Sequence, residues 1–258
     1  MKNFNRVGII TGASSGIGKN TALRIASDGF KIVLNGRNEK ELDLLKQEIN
    51  THAGAEIAIV VAGDVTDKKT LEKCIEACQT HWGLSPSLFI ACAGRGLPGT
   101  LITSDEMQWE NLWRINVLGL QHQLKAISQV MIASRENDPE NKTPSDIVVL
   151  GSTIGRNVSP FNSVYGATKF ATHGLTEALR RELGPKGIRV TLIEPGLVAT
   201  NFQESAGYDM DWFENYCEEI GPVLIGDDVA KVIQFLVQMP ENVHLDNISI
   251  RPTRQSYP

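Results

Sequence analysis

Short apolar runs alternate along the chain with longer stretches whose apolar residues recur at helical spacing. The apolar runs predict strands at residues 7–10, 31–35, 56–62, 88–91, 147–150, 189–193 and 248–250. The longer stretches predict helices after residue 18 and at residues 39–51, 67–82, 103–133, 164–183 and 227–237. Strands that alternate with helices and are apolar throughout are typical of a parallel sheet covered on both faces. The pattern therefore predicts an α/β fold of about seven strands, in a single domain over residues 1–258.

Two segments depart from this alternation. Residues 134–146 are polar, contain two prolines and predict an exposed loop. Residues 197–225 are rich in aromatic and acidic side chains and follow the carboxyl end of a predicted strand. Ligands bind at that edge of open α/β sheets, so we expect a mobile lid over a substrate here.

Composition and charge narrow the classes of function. The chain has 258 residues with 41% hydrophobic and 21% charged residues and a formal net charge of −5, as is typical of soluble globular proteins. The sequence contains neither a basic block nor an apolar run of ~18 residues, which argues against nucleic acid and membrane partners and favours a cytoplasmic protein. Its four cysteines and five histidines form no disulfide framework and no ligand cluster, so no metal site is predicted.

A tyrosine and a lysine stand four residues apart in one predicted helix. They are Tyr165 and Lys169, and Ser152 lies thirteen residues upstream of the tyrosine. Positions i and i+4 share a helix face, which brings an ammonium group beside a phenol. The positive charge would favour the phenolate and lower the tyrosine pKa from its ordinary value of ~10. A tyrosine tuned in this way can exchange a proton with an alcohol or carbonyl oxygen, although the spacing alone also suits a surface pair.

A glycine turn follows the first predicted strand. Gly12, Gly16 and Gly18 have the spacing G-x-x-x-G-x-G and precede a helical pattern. Glycines let the backbone approach a pyrophosphate, and the helix N-terminus directs partial positive charge at it. The alternative is a tight strand-to-helix turn that binds no ligand.

With these motifs in this order, nearly the whole chain resembles the short-chain dehydrogenase/reductase family. The resemblance implies a Rossmann fold and a catalytic tetrad, namely Asn116, Ser152, Tyr165 and Lys169. It also implies cofactor contacts in the glycine turn, at an adenine-contact position, after the fourth strand, and in a turn whose threonine holds the nicotinamide carboxamide. The residues at these positions, with the catalytic pair, are Gly12, Ser14, Ser15, Gly16, Ile17, Gly18, Asp64, Val65, Ala93, Gly94, Tyr165, Lys169, Pro195, Gly196, Val198 and Thr200.

The end of the second strand selects between the two nicotinamide cofactors. An acidic side chain there would accept a hydrogen bond from the ribose 2′-hydroxyl of NAD and repel a 2′-phosphate. This chain has Arg37, whose guanidinium can bind a phosphate through paired charge-assisted bonds, unless it is simply a solvated surface arginine. Asn35 and Asn38 add neutral hydrogen-bonding groups. We therefore expect NADP(H) rather than NAD(H), with Arg37 and Asn38 in the cofactor site.

The resemblance also implies a role for each member of the tetrad. Tyr165 would donate a proton to the carbonyl oxygen as hydride reaches the carbon, and Ser152 would orient that oxygen. Lys169 would lower the tyrosine pKa and bind the ribose hydroxyls, and Asn116 would hold a water in a proton relay. Cys92 departs from the family, which has an asparagine there. We expect altered packing beside the cofactor from this change rather than a nucleophile.

The predicted function is that of a carbonyl reductase or alcohol dehydrogenase, an NADP(H)-dependent oxidoreductase of a small carbonyl compound and its alcohol. Candidate substrate residues are Arg95, Ile154, Arg156 and Phe202. Either arginine could pair with a substrate carboxylate or be solvated. The end of the chain, residues 248–255, resembles a subgroup that acts on 3-hydroxy acids, serine-like compounds and small aldehydes, while the aromatic lid leaves a bulky hydrophobic ketone open.

Two other functions and the assembly stay open at this level. The chain could be a catalytically silent NADP-binding sensor or scaffold, or an NAD-dependent alcohol dehydrogenase. Small residues on the helix that carries Tyr165, together with the resemblance, suggest a homodimer or homotetramer.

Overall fold

The computed structural model describes residues 6–138, 140 and 143–257. Across those residues the predicted alternation builds a parallel sheet with helices on both faces. The strands are β1 (Val7–Thr11), β2 (Lys31–Gly36), β3 (Ala58–Ala62), β4 (Leu88–Ala91), β5 (Ser145–Leu150), β6 (Ile188–Pro195), β7 (Val198–Ala199), β8 (Leu224–Ile225) and β9 (Asn247–Ile250). The α-helices are α1 (Gly16–Ser27), α2 (Glu39–Ala53), α3 (Lys68–Trp82), α4 (Trp109–Trp113), α5 (Leu120–Asn137), α6 (Ser163–Leu183), α7 (Phe202–Ala206), α8 (Met210–Ile220) and α9 (Gly226–Val237).

The order of the strands places the switch in winding direction between β1 and β4. Seven strands lie side by side in the order β3-β2-β1-β4-β5-β6-β9, and each neighbouring pair is parallel. Thr11 pairs with Ala91, so the glycine turn after β1 lies beside the loop after β4. This is the doubly wound Rossmann arrangement that the resemblance implies. A crevice at this point of the carboxyl edge is where such sheets bind their ligands.

The sheet divides the buried apolar side chains into two layers. Ile10, Leu34 and Ile90 pack on one face against α1, α2 and α9. Ile9, Phe89 and Val149 pack on the other face against α3 and α5. Successive side chains of a strand point to opposite faces, so strands buried on both sides must be apolar at every position. This explains why the apolar runs were continuous rather than alternating.

The chain around residues 100–140 is less regular than the predicted helix over 103–133. A short 3₁₀ turn (Glu106–Gln108) precedes α4, and a π-helical segment (Arg114–Gly119) joins α4 to α5. Helix α5 continues to Asn137, so the first residues of the predicted loop 134–146 are helical, and its last two belong to β5. Residues 139, 141 and 142 of that loop lie outside the described residues, as do residues 1–5.

The predicted lid over residues 197–225 contains regular structure of its own. It comprises the short helices α7 and α8, and β7 pairs with β8 in a separate two-stranded ladder. The segment leaves the main sheet at the end of β6 and returns to it through α9, whose side chains pack against α1. Within the described ranges, no helix is both long enough and apolar enough to span a bilayer.

Candidate active site

The glycine turn is so tight that side chains would not fit in it. Gly12 and Gly16 have φ values of +68° and +53°, which favour glycine. A Cβ on Gly12 would lie 2.8 Å from the amide nitrogen of Ala93, and a Cβ on Gly18 would collide with the carbonyl oxygen of Gly12. The turn therefore packs directly against the loop after β4, and it brings Ala93, a predicted cofactor contact, beside Gly12.

The first turn of α1 is open to an anion. Ser15 occupies its N-cap position but makes no side-chain cap, and the first turn carries no acidic residue. In α2 and α3, by contrast, Asn38 and Asp67 cap the exposed amides. Unpaired amide groups at a helix N-terminus bind phosphate, because the helix dipole adds to their partial positive charge. Bare glycines and an uncapped helix thus fit the pyrophosphate of a dinucleotide.

The other predicted residues of the turn flank this cradle. Ser14 lies beside the end of β2, where a Cβ on Gly36 would lie 3.2 Å from the serine hydroxyl. Ile17 is half-buried and packs against the core layer that contains Ile10. The turn is therefore supported by the core on one side and faces β2 on the other.

Two arginines influence the carboxylate of Asp64 at the adenine-contact position. Burial would raise the pKa of Asp64, but hydrogen bonds from Thr66 and the charges of Arg37 and Arg114 outweigh it, so the pKa is lowered. Arg37 is exposed at the end of β2, and Arg114 is exposed in the π-helical segment. Sequence reasoning did not identify Arg114, because it lies far from Arg37 along the chain and only the fold brings both near Asp64. Val65 is the next residue after Asp64 and also follows β3.

The two asparagines near Arg37 also form hydrogen bonds within the protein. Asn35 is fully buried, and its amide nitrogen donates 2.9 Å to the carbonyl oxygen of Val61, which ties β2 to β3. Asn38 accepts a hydrogen bond from the amide of Glu41 as the cap of α2. Asn38 is exposed and its amide nitrogen is not part of the cap, so its contact with the cofactor stays a prediction.

Ser152 and Tyr165 meet at the carboxyl edge of the sheet. Ser152 follows β5 in a short 3₁₀ turn, and Tyr165 lies in the first turns of α6. Both are buried, and the serine hydroxyl lies close enough to the phenol to influence its pKa. Burial raises the pKa of Tyr165 to about 12, while the hydrogen bond with Ser152 acts in the opposite direction. The expectation of a lowered phenol pKa is therefore wrong for the protein alone, because desolvation of the phenolate dominates.

Lys169 lies one helical turn after Tyr165, as the spacing predicts. Its amino group is buried, lies 5.9 Å from the centre of the Tyr165 ring and donates 2.8 Å to the carbonyl oxygen of Leu150. Burial lowers the pKa of Lys169 to about 8. Cys92 lies close enough for the two groups to interact, but burial raises the pKa of this thiol to about 12. A thiol in that state is a poor nucleophile.

Asn116 joins the site from the π-helical segment. Its amide nitrogen donates to the carbonyl oxygen of Arg95 and to the hydroxyl of Thr168, and its amide oxygen accepts from the backbone of Arg95. A Cβ on Gly94 would lie 3.4 Å from the Asn116 amide oxygen and 4.0 Å from the Lys169 nitrogen. The side chain of Asn116 thus fixes the loop after β4, and both of its amide protons are used in doing so.

The turn after β6 returns to the glycine turn. A Cβ on Gly16 would lie 3.4 Å from the Cβ of Thr200, so the first and last predicted cofactor segments are in contact. The backbone amide of Gly196, which follows Pro195, donates 2.8 Å to Ile250 in β9. The carbonyl oxygen of Val198 accepts from Gln203 in the lid. These bonds position the turn between the sheet and the lid.

Of the four candidate substrate residues, the structure places two against Tyr165. The ring of Phe202 lies 6.0 Å from that of Tyr165, and Ile154 packs in the same small apolar cluster. Arg95 donates to the side chain of Gln108. Arg156 donates from Nε and Nη2 to the carboxylate of Glu194, while more than half of its side chain is exposed, so its pairing with a substrate anion stays a prediction.

A second, half-buried tyrosine that the sequence did not assign to the site lies near Tyr165. Tyr208 comes from the lid, and its hydroxyl donates 2.7 Å to the amide oxygen of Asn162. Burial and the nearby Tyr165 raise the pKa of Tyr208. The aromatic residues at 197–225 pointed to this segment, but the sequence does not specify which of their rings faces Tyr165.

Comparisons with known proteins agree with this geometry. The family profile described as short chain dehydrogenase matches residues 6–211. An uncharacterised oxidoreductase of Staphylococcus epidermidis is 31% identical over 247 residues, which cover 96% of this chain and 97% of that protein. The closed form of serine dehydrogenase complexed with NADP+ superposes with a TM-score of 0.84 at 25% identity, over 97% of this chain and 96% of that one.

A second solved structure supports the fold alone. It is the alcohol dehydrogenase from the archaeon Thermococcus sibiricus complexed with 5-hydroxy-NADP, with a TM-score of 0.81 at 23% identity, over 98% of this chain and 99% of that one. The glycine turn, the buried serine–tyrosine pair and the lysine one turn further along are accompanied by a family match that covers most of the sequence. On these grounds the chain belongs to the short-chain dehydrogenase family of oxidoreductases.

Proposed function

We propose that this protein is an NADP(H)-dependent oxidoreductase that interconverts a small, uncharged carbonyl compound and its alcohol. One observation carries the proposal: the phenol of Tyr165 is buried at the switch point of the sheet, beside the hydroxyl of Ser152 and one helical turn from Lys169. The glycine turn lies beside the same crevice. A proton donor next to a dinucleotide cradle is the arrangement that carbonyl reduction requires.

The cofactor would be bound along the carboxyl edge of the sheet. The bare glycine turn and the uncapped start of α1 suit its pyrophosphate. Arg37 suits a 2′-phosphate, and β2 ends without a carboxylate that would repel one. The NADP ligands named for the two solved relatives agree with this choice. When bound, NADP(H) supplies or accepts the hydride.

The residues of the site would transfer the proton to and from the substrate oxygen. Tyr165 donates its phenolic proton to the carbonyl oxygen in the direction of reduction and takes it back in oxidation. Ser152 hydrogen-bonds the same oxygen and the phenol, which orients the substrate between them. Lys169 has two N–H groups left beyond its bond to Leu150, and these can bind ribose hydroxyls. In its charged form the lysine also favours the phenolate of Tyr165.

The hydrogen bonds that nearby arginines make within the protein support an uncharged substrate. Arg95 and Arg156 follow β4 and β5 at the crevice, and each donates a hydrogen bond to a protein side chain. Breaking the Arg156–Glu194 pair would leave a fully buried carboxylate without its guanidinium. The surfaces that face Tyr165 are instead the ring of Phe202 and the side chain of Ile154. A neutral carbonyl compound suits them better than a hydroxy acid.

The proposal is tested by a panel of aldehydes, ketones and hydroxy acids with NADPH or NADP⁺, followed through cofactor absorbance. A keto acid and its methyl ester form a matched pair, and we expect the larger kcat/KM for the ester. Tyr165→Phe should lower turnover by ~10²–10⁴-fold and leave the NADPH Kd nearly unchanged. Tyr216→Phe is the matched control, since its ring stacks on Trp212 in α8 at a centroid distance of 5.4 Å.

Two results would contradict the proposal. Retained turnover in Tyr165→Phe would remove the assigned proton donor. Tight NADPH binding without turnover of any compound would favour the alternative of a catalytically silent NADP-binding protein.

A further inference from the structure

The imidazole of His173 lies directly behind Ser152. Tyr165, Lys169 and His173 follow one another at intervals of four residues in α6, so all three project from the same face of the helix. The Nε2 atom of His173 accepts a hydrogen bond of 3.3 Å from the backbone amide of Ser152. His173 therefore contacts the backbone of Ser152, and the hydroxyl of the same serine lies beside Tyr165.

The backbone around Ser152 is shaped to admit this ring. Gly151 precedes the serine and Gly155 closes its 3₁₀ turn. A Cβ on Gly151 would lie 2.5 Å from the His173 Nε2 atom, and a Cβ on Gly155 would overlap the ring as well. Because real contacts are never so close, a side chain at either glycine would push the imidazole away from the serine.

A buried carboxylate stands at the other side of the ring. Glu194 is fully buried at the end of β6, and one of its oxygens lies 3.5 Å from the His173 Nδ1 atom. Arg156 and Asn247 donate hydrogen bonds to the same carboxylate, which hold it in place. Its pKa is lowered, since the hydrogen bonds from Arg156 and Asn247 and the charge of Arg156 outweigh the effect of burial.

These contacts define the protonation state of His173. An Nε2 atom that accepts from a backbone N–H carries no proton, so the single proton of the neutral ring is on Nδ1, the ring nitrogen that lies 3.5 Å from Glu194. Burial lowers the pKa of His173 to about 4, although the charge of Glu194 acts the other way. The ring is therefore neutral near pH 7.

We propose that His173, held by Glu194, is a positioning residue for Ser152. The histidine fixes the backbone amide of the serine, while the amide of Ile154 donates 3.3 Å to its hydroxyl oxygen. Together the two bonds set the direction in which the hydroxyl points, toward the phenol and the substrate oxygen. This inference rests on the proposed function of Ser152, and His173 itself contacts neither substrate nor cofactor. A misdirected serine would impair hydride transfer more than cofactor binding.

Two amide variants separate positioning from packing. In His173→Gln the side-chain oxygen reaches the position of Nε2 and can still accept from Ser152. In His173→Asn the shorter amide reaches the position of Nδ1 and can contact Glu194, but it leaves the Ser152 amide without its acceptor. The variants are compared by kcat, KM and NADPH Kd with the best uncharged carbonyl compound of the panel, and by thermal unfolding.

We expect His173→Asn to lower kcat by ~10–100-fold with little change in NADPH Kd, while His173→Gln retains most of kcat. Equal losses of kcat in both variants, or a loss confined to thermal stability, would overturn the positioning role. So would a loss of NADPH binding that accounts for the whole effect.

A second measurement does not need a substrate. In the ¹⁵N-labelled wild-type protein, ring nitrogen shifts report which nitrogen of His173 carries the proton. The proposal expects protonated Nδ1 and bare Nε2 at pH 7. A proton on Nε2 would overturn the proposal even if turnover were found, and the expected tautomer without any turnover would instead point to failure of the proposed function.

Discussion

The amino group of Lys169 donates a hydrogen bond of 2.8 Å to the carbonyl oxygen of Leu150, the last residue of the strand that leads into Ser152. The bond places a cation in a buried position between α6 and β5. Burial lowers the pKa of this lysine from 10.5 to about 8, so the folded protein without cofactor is destabilised by keeping the amine charged.

Replacement of this lysine should therefore stabilise the protein without cofactor. Below pH 8 both folded and unfolded chains carry the Lys169 charge, and its burial costs roughly 3 kcal/mol. Between pH 8 and 10.5 the folded chain loses the proton first, so the cost disappears as pH rises. We expect Lys169→Met to raise the free energy of unfolding at pH 7 by ~1–3 kcal/mol, and the gain to shrink toward pH 10.

Denaturant titrations at several pH values measure this difference. Lys125→Met, at an exposed position of α5, is the matched control and should leave the pH dependence of the wild-type protein unchanged. A lysine variant that is less stable than wild type at pH 7 would show that the hydrogen bond to Leu150 outweighs the cost of burial. Turnover should be lost in the same variant, which is the usual conflict between stability and function at active sites.

Arg37 should determine the preference for NADP(H). A charge-assisted hydrogen bond contributes ~1.5–3 kcal/mol, so Arg37→Ser should weaken NADPH binding by ~10–100-fold and leave NADH binding almost unchanged. Lys40→Ser removes the same charge from an exposed position nearby in α2 and controls for the general field. Calorimetric Kd values for both cofactors measure the effect. Equal weakening for NADPH and NADH would contradict a specific phosphate contact.

The glycine turn should tolerate no side chain at Gly12. Gly12 and Gly54 have nearly the same positive φ, +68° and +65°, but a Cβ at Gly12 would meet the backbone of Ala93, while nothing lies within 4 Å of one at Gly54. Gly54→Ala should therefore cost only the ~1–2 kcal/mol of the left-handed conformation. Gly12→Ala should cost ~1–3 kcal/mol more from the clash and also abolish NADPH binding.

Thermal unfolding and NADPH titration of the two alanine variants isolate the close contact from the backbone conformation. A Gly12→Ala protein that bound NADPH like wild type would contradict the tight approach of this turn to Ala93.

A buried ion triad at the opposite edge of the sheet should be important for stability. Asp146 at the start of β5 accepts hydrogen bonds of 2.7 Å from both Arg6 and Arg189, and all three side chains are buried. Asp146→Asn would leave two buried guanidinium groups without a charged partner, at a cost of ~3–5 kcal/mol. Asp43→Asn, which removes the carboxylate of the surface pair with Lys46, is the matched control.

Chemical denaturation should give a large loss for the Asp146 variant and almost none for the Asp43 variant. Because the triad lies far from the crevice, the NADPH Kd of the folded Asp146 variant should equal that of wild type. A change in stability no larger than that of the control would mean that attraction between the buried charges only offsets the cost of removing them from water.

Much of this protein follows from local sequence patterns. Continuous apolar runs predicted the seven strands of the sheet, and amphipathic stretches predicted most of the helices, since strand and helix periods are properties of consecutive residues. The spacing of Tyr165 and Lys169 predicted their common helix face, and the three glycines predicted a tight turn before α1. The π-helical segment around Asn116 had no such signal, because an inserted residue changes only the local hydrogen bonding.

The tertiary structure alone decided which distant residues meet and how deeply they are buried. It brought Thr200 against Gly16, engaged Arg156 with Glu194 and seated His173 behind Ser152, all through contacts between separate segments of the chain. No periodicity encodes such pairs. Burial likewise reversed the expected pKa shift of the Tyr165 phenol, because desolvation depends on every group packed around a side chain, whereas spacing along a helix specifies only its nearest neighbours.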